Sequence, residues 1–344
     1  MKKYILALAY TLMFSGLSFA QNEPVQNDNI LWTSGRPDGH APISVMGDHV
    51  HHKGEWMFSY RFMYMNMQHI NSGTHEISAG TVLENYMVSP EEMSMKMHML
   101  GAMYAPSSNL TLMAMANVVS NEMDLIPRMG EDFRTESSGF GDIKLSGLYS
   151  LFNRNRQSMH AQLGISLPTG SIDEKDVTPA SAPNEMFLPY PMQIGSGTFD
   201  GEAGLTYLAQ GNFLSFGSQL KGLIRFGEND NGYRFGNRYQ LNNWIAGKLT
   251  NSLSISARVE GLIIEEIEGT QPGLNPMMVP AANTANSGGK YINSGLGVNM
   301  VIPSGSLSGL RFAMEYEFPL YQDLNGLQLK NNNNIIFGVQ YALH

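Results

Sequence analysis

The feature that most constrains this chain is a two-residue alternation of apolar and polar side chains, sustained over ten residues or more and repeated along its length. From Trp56, the residues Trp56, Phe58, Tyr60, Phe62 and Tyr64 share one face, and Glu55, Met57, Ser59, Arg61, Met63, Met65 and Met67 share the other. Leu214, Phe216, Leu220, Ile224 and Phe226 likewise oppose Ser215, Gln219, Lys221 and Arg225. Leu253, Ile255, Ala257, Val259 and Ile263 oppose Ser252, Ser254, Ser256, Arg258 and Glu260. Leu310, Phe312, Met314, Tyr316 and Phe318 oppose Arg311, Ala313, Glu315 and Glu317. A period of two means strands, and these reach the roughly 9–11 residues that a tilted membrane-crossing strand needs.

Twelve strands are predicted, over 55–67, 93–105, 109–120, 139–152, 158–168, 198–209, 213–226, 237–249, 252–264, 290–302, 309–321 and 333–343. Their connections alternate long and short. Pro106-Ser107-Ser108, Gln210-Gly211-Asn212 and Thr250-Asn251 are tight turns, whereas 68–92, 121–138, 169–197 and 265–289 are long. Outer-membrane barrels have this asymmetry and an even strand number. The expected fold is therefore all-β: a transmembrane antiparallel up-and-down barrel of about 12 strands, outer-membrane type. A secreted β-sandwich would have shorter strands and turn its charged faces to water. Here Arg61, Asp142, Lys144, Asp200, Glu202, Lys221, Arg225, Arg258, Glu260, Arg311, Glu315 and Glu317 all fall on the less apolar face, a mixture of signs suited to pairing across a small lumen.

Residues 1–20 read as a signal peptide, with Lys2 and Lys3 ahead of an apolar stretch and Ser18-Phe19-Ala20 at the cleavage point. Residues 21–54 read as a periplasmic, His-containing lead-in or plug, and 55–344 as the barrel; the expected location is the outer membrane, with lipid as a partner. The absence of cysteine excludes disulfides, thiolate zinc sites, iron–sulfur clusters and a lipoprotein anchor. A net charge of −9 with no dense Lys/Arg block argues against a nucleic-acid partner.

Of 24 methionines, 15 lie between Met46 and Met129. The alternation turns Met57, Met63, Met65 and Met67 of the first strand inward. It does the same for Met93, Met95, Met97, Met99 and Met103 of the second, and for Met113 and Met115 of the third, while Lys96 and His98 fall on the outward parity. If Met57 opposes Met103, the same offset pairs Met63 with Met97, Met65 with Met95 and Met67 with Met93. Cβ atoms of opposed residues on neighbouring strands lie about 4.5–5.5 Å apart, close enough for two thioethers to share an ion. Thioethers are soft ligands, suited to Cu(I) and by extension Ag(I). Methionine also fills irregular apolar space and contacts aromatic rings, so packing and a path for aromatic solutes are competing roles.

A second cluster precedes the first strand: His40, Met46, Asp48, His49, His51 and His52. Imidazole and carboxylate suit Cu(II), Zn and Ni, although no defined spacing motif is present. His69, His75 and His98 are candidates to extend a metal track. The possible cofactors are thus Cu(I) and Cu(II), and the partner is a small solute or a metal ion.

The run HAPISVMGDHVHHKGEWMFSYRFMYMNM, residues 40–67, resembles a Met/His-bearing branch of the outer-membrane family labelled for a MetA pathway of phenol degradation. That resemblance implies a transporter-like barrel and suggests a link to copper handling; it brings no catalytic residues. No Ser/His/Asp constellation or phosphate loop stands out either, so the chain is expected not to be an enzyme. The sequence reading is a barrel transporter that binds or passes copper along an inward Met ladder. The alternatives are a channel for hydrophobic or phenolic compounds and a non-transport structural barrel.

Overall fold

The computed structural model describes residues 31–343; the leader expected over residues 1–20 lies outside them. Eleven strand elements form the ring: β1 (Trp56–Gly73), β2 (Val88–Ser107), β3 (Leu110–Pro127), β4 (Ile143–Arg154), β5 (Gln157–Leu167), β6 (Phe199–Gln210), β7 (Leu214–Phe226), β8 (Arg238–Lys248), β9 (Leu253–Ile264), β10 (Gly289–Val301) and β11 (Leu310–Leu343). Each pairs antiparallel with the next, and β11 pairs with β1 to close the ring. An all-antiparallel ring closes only on an even number of passes, and β11 supplies the extra one. Its first part, Arg311 to Leu324, runs against β10, and Leu324 to Leu343 runs against β1. The chain reverses at Gly326, which has φ +63° and whose missing Cβ would strike the Asn286 side chain, so glycine is required there.

The expected strand set is thus correct in number of passes and needs correction in its joints. Residues 322–332, expected as a loop, are strand and tight turn, because β1 and β10 offer pairing partners almost to the tip of the reversal. The loops expected over 68–92 and 121–138 shrink, since β1, β2 and β3 run 18 to 20 residues. The expected strand 139–152 is broken: Phe133–Phe140 pairs with the far half of β3, the register slips at Gly141-Asp142, and β4 continues along the near half. The Asp142 carboxylate fastens this break by accepting from the Gly170 and Ser196 backbone N–H groups, each at 2.9 Å.

Alternation gives the ring its two faces. Leu100, Leu163, Leu220 and Leu296 project outward with 57–70% of their surface exposed. A continuous apolar band of this kind is tolerated where acyl chains cover it. Among the described residues no helix is long and apolar enough to cross a membrane. At the long-loop end, turns at Tyr190–Met192 and Pro280–Ala282 fold over the mouth, where Leu188, Met192, Val279 and Ala282 pack on Val88, Met93, Met123 and Leu125. At the short-turn end the chain before β1 enters the ring, and its residues 37–51 are mostly buried against inward side chains of the strands.

Candidate functional site

The inward faces of β1, β2 and β3 form one wall of the lumen, and their register decides what that wall is made of. Met57 opposes Met103, Met63 opposes Met97, Met65 opposes Met95 and Met67 opposes Met93. The β2–β3 register adds Met103 opposite Met113 and Met93 opposite Met123. Two rows therefore run three thioethers wide, one near each end of the wall. The short-turn row packs into a cluster of Met57, Met99, Met103, Met113, Met115 and Leu148, and the long-loop row into the capped cluster around Met93 and Met123. Between them Met63, Met65, Met95 and Met97 are only half-buried: Met63 and Met97 pack against the short-turn cluster, and Met65 and Met95 belong to neither.

The segment inside the lumen is held by hydrogen bonds from wall side chains to its backbone. Arg311 donates to the Ser34, Arg36 and Pro37 carbonyls, Ser254 to the Pro37 carbonyl, and Arg61 to the Ile43 carbonyl. Glu315 accepts from the Ser44 N–H at 3.0 Å, and Thr111 Oγ1 from the His51 N–H at 2.9 Å. Gly47 sits at φ +68° with its carbonyl 2.9 Å from His160 Nε2; a Cβ there would lie 2.5 Å from Gln162 Oε1. The segment carries little secondary structure, so its backbone polar groups need these partners.

Folding the segment brings its histidines together. The His40 and His49 rings lie 4.2 Å apart between centroids, and His49 and His51 4.6 Å apart. Asp48 Oδ1 is 3.0 Å from His49 Nδ1, and Asp48 Oδ2 accepts from the Ala41 N–H at 3.0 Å. One donor atom each from His40, Asp48 and His49 falls within 4.8 Å of the other two. All four residues are buried. Burial pushes His40 well below the usual imidazole range, with Arg311 and His49 adding to it, and lowers His51 against the pull of Glu55. Burial alone would raise the Asp48 carboxyl, but the His49 ring, then His40 and the Ala41 N–H, hold it well below its ordinary value.

The candidate residues thus separate into two groups. His40, Asp48, His49 and His51 converge. Met46 turns away from them and, with Val50, packs on the short-turn methionine cluster, placing the histidine group beside the wall. His52 is exposed and outside the cluster, since its neighbours His51 and Val50 take the inward positions. His98 faces outward, as its parity requires, with its Nδ1 2.9 Å from the Tyr60 hydroxyl and its ring beside Phe62, so it does not extend the inward track. His69 and His75 are exposed on the long-loop side of β1. Two inward methionines went unnamed in the sequence reading: Met123, legible by carrying the odd-residue parity of β3 past Asn121, and Met192, placed only by loop folding.

The rest of the wall is polar and self-paired. Arg258 meets Glu315 at 2.8 Å, Glu317 and Glu260, and donates to Asn242. Lys221 meets Glu202 at 2.9 Å, and Arg225 meets Asp200. The ion pairs join near neighbours along the wall instead of crossing the lumen as expected, and Arg61 and Arg311 spend their donors on the lumen segment.

Three solved structures are similar to the chain. The COG4313 outer membrane channel from Pseudomonas putida F1 is 11% identical over 87% of this chain and 99% of that one, with a TM-score of 0.62. The transport unit of the autotransporter AIDA-I from Escherichia coli is 12% identical over 86% of this chain and 93% of that one, with a TM-score of 0.49. A FadL homologue from Pseudomonas aeruginosa is 11% identical over 85% and 91%, with a TM-score of 0.40. The first of these carries the same outer-membrane channel-type barrel fold. No curated protein sequence matches the chain. Residues 92–273, more than half of the chain, match the family model described as "Putative MetA-pathway of phenol degradation", and the chain belongs to that family.

Proposed function

We propose that this chain is an outer-membrane channel that binds and passes a soft monovalent metal ion, copper(I) first, along the methionine wall of its lumen. The observation that carries the reading is the register of β1 and β2, which sets four pairs of thioethers opposite one another, two of them half-buried in the lumen between buried clusters. A thioether has no charge, so it selects for a soft cation by polarisability, while Mg²⁺ and Ca²⁺ prefer oxygen ligands. The paired carboxylates and cations on the rest of the wall leave few free charges to attract a hard ion. Pure packing accounts for the buried clusters but not for Met65 and Met95, which are half-buried and belong to neither cluster.

Passage of a hydrophobic or aromatic solute is the second reading. An apolar cavity of about 280 Å³ at the long-loop end supports it, lined by Val88, Phe133, Phe187, Leu188, Met278 and Val279. Titration of the detergent-refolded protein with Cu(I) and Ag(I) separates the two. The metal reading expects saturable binding that is lost when Met63, Met65, Met95 and Met97 are changed to Leu. Because Met-to-Leu changes conserve volume, each should cost less than about 1.5 kcal/mol of stability. Binding that is absent, or unchanged in the Leu variant, would overturn the metal reading and favour the solute channel.

A further inference from the structure

We propose that His40, Asp48 and His49 of the lumen segment, with His51 as a fourth donor, form a divalent transition-metal site of the Cu(II) class. This deepens the copper reading, yet it stands on nitrogen and oxygen donors instead of sulfur, so the two can fail separately.

Three observations carry it. The first is convergence: two imidazoles and a carboxylate, buried and within 4.8 Å of one another, match the mixed N/O set that selects Cu(II), Zn(II) or Ni(II) over Mg²⁺ and Ca²⁺. The second is that one nitrogen of each of the three rings is buried without a hydrogen-bond partner. His40 Nδ1, His49 Nε2 and His51 Nε2 are buried and accept or donate no hydrogen bond. A buried polar atom without a partner is unfavourable, and three of them in one cluster is the pattern expected of a site that completes itself with an ion. The third is the surrounding support. Glu55 Oε2 lies 3.3 Å from His51 Nδ1, so the ring donates there and keeps Nε2 as its lone-pair nitrogen. The Ala41 N–H fixes the Asp48 carboxylate, and the Thr111 hydroxyl fixes the His51 backbone. Carboxylate-to-imidazole contacts of this kind orient metal ligands and raise their basicity.

The ligands come from both ends of the stretch between His40 and His49, so an ion would close a loop within the segment. The segment already packs Met46 and Val50 against the methionine wall. A divalent site thus lies beside the wall of soft donors, and the lumen offers nitrogen/oxygen ligands at one place and thioethers at the next.

The test is Cu(II) titration of the refolded full chain, read by electron paramagnetic resonance, with Zn(II) as competitor. The expected result is about one equivalent of Cu(II) with hyperfine coupling to at least two imidazole nitrogens. In the double variant His40→Gln/His49→Gln affinity should fall by more than about tenfold, since even the outer partners of metal ligands are worth 10–100-fold. The Met-to-Leu wall variant should keep the signal. An unchanged spectrum in the double variant, or no stoichiometric Cu(II), overturns the proposal. If the double variant does not fold, a chain with the exposed His52, His69 and His75 changed to Gln decides: retention of the signal supports the buried site, and its loss overturns it.

Discussion

Gly47 shows how much of this architecture rests on single backbone positions. It lies where an inserted segment touches the ring, in a left-handed conformation and against the buried Gln162 side chain, which Glu202 holds at 2.6 Å. Replacing it with Ala would cost about 1–2 kcal/mol for the conformation alone, before any displacement of Gln162. The expected outcome is a segment cut faster by protease within residues 31–54, in a barrel that still shows the heat-modifiable gel mobility of a closed ring. Equal resistance would mean that Gly47 does not set how the segment docks. The methionines differ in kind: at Met63 or Met97 a change to Leu keeps the volume and removes only the sulfur. No rule of periodicity marks Gly47, because its requirement comes from a wall residue more than a hundred positions away. His49 was legible as a candidate ligand from composition, but its place between the His40 and His51 rings depends on the turn of the segment between Ala41 and Asp48.

At the scale of elements, the strands were legible wherever one face is apolar, and the hairpin of β1 and β2 was legible to the residue. The offset that aligns Met57 with Met103 is the one observed, because a slip of one residue would turn the aromatics inward. The joints were hidden where side chains on both faces are polar, as at Lys330 to Asn332 of β11, where alternation fades although pairing continues. The cap was hidden for a different reason, since it is built by loops that carry no period. In it, Tyr190 and Tyr233 pack edge to face with centroids 4.8 Å apart, and the Tyr190 hydroxyl accepts from the Gln271 N–H at 3.1 Å. Burial pushes both phenols above their ordinary value, and the neighbouring Tyr190 adds to the shift at Tyr233. An acid whose pKa is higher in the folded state makes folding less favourable once the unfolded form ionises. The cap should therefore lose stability as pH rises past about 10, with no such loss from these groups below it. Spectrophotometric titration should show both tyrosines ionising after the exposed ones; simple titration of all tyrosines together would contradict the packing.

Across the whole molecule, the lumen is divided lengthwise. One wall, on β1 to β3, is methionine; the other carries ion pairs that satisfy one another or hold the inserted segment. The division was present in the sequence as parity, with Met63, Met65, Met95 and Met97 on one set of strands and Arg258, Glu260, Glu315 and Glu317 on another. Closure into a ring, by the pairing of β11 with β1, made these separate strand faces parts of one lumen wall. The account depends on the methionine wall being a ligand surface, and crystals of the protein soaked in Ag(I) test this most directly through anomalous scattering. The account predicts silver between the sulfurs of Met63 and Met97 and of Met65 and Met95. Silver confined to the lumen segment or the outer surface, with none on that wall, would contradict it.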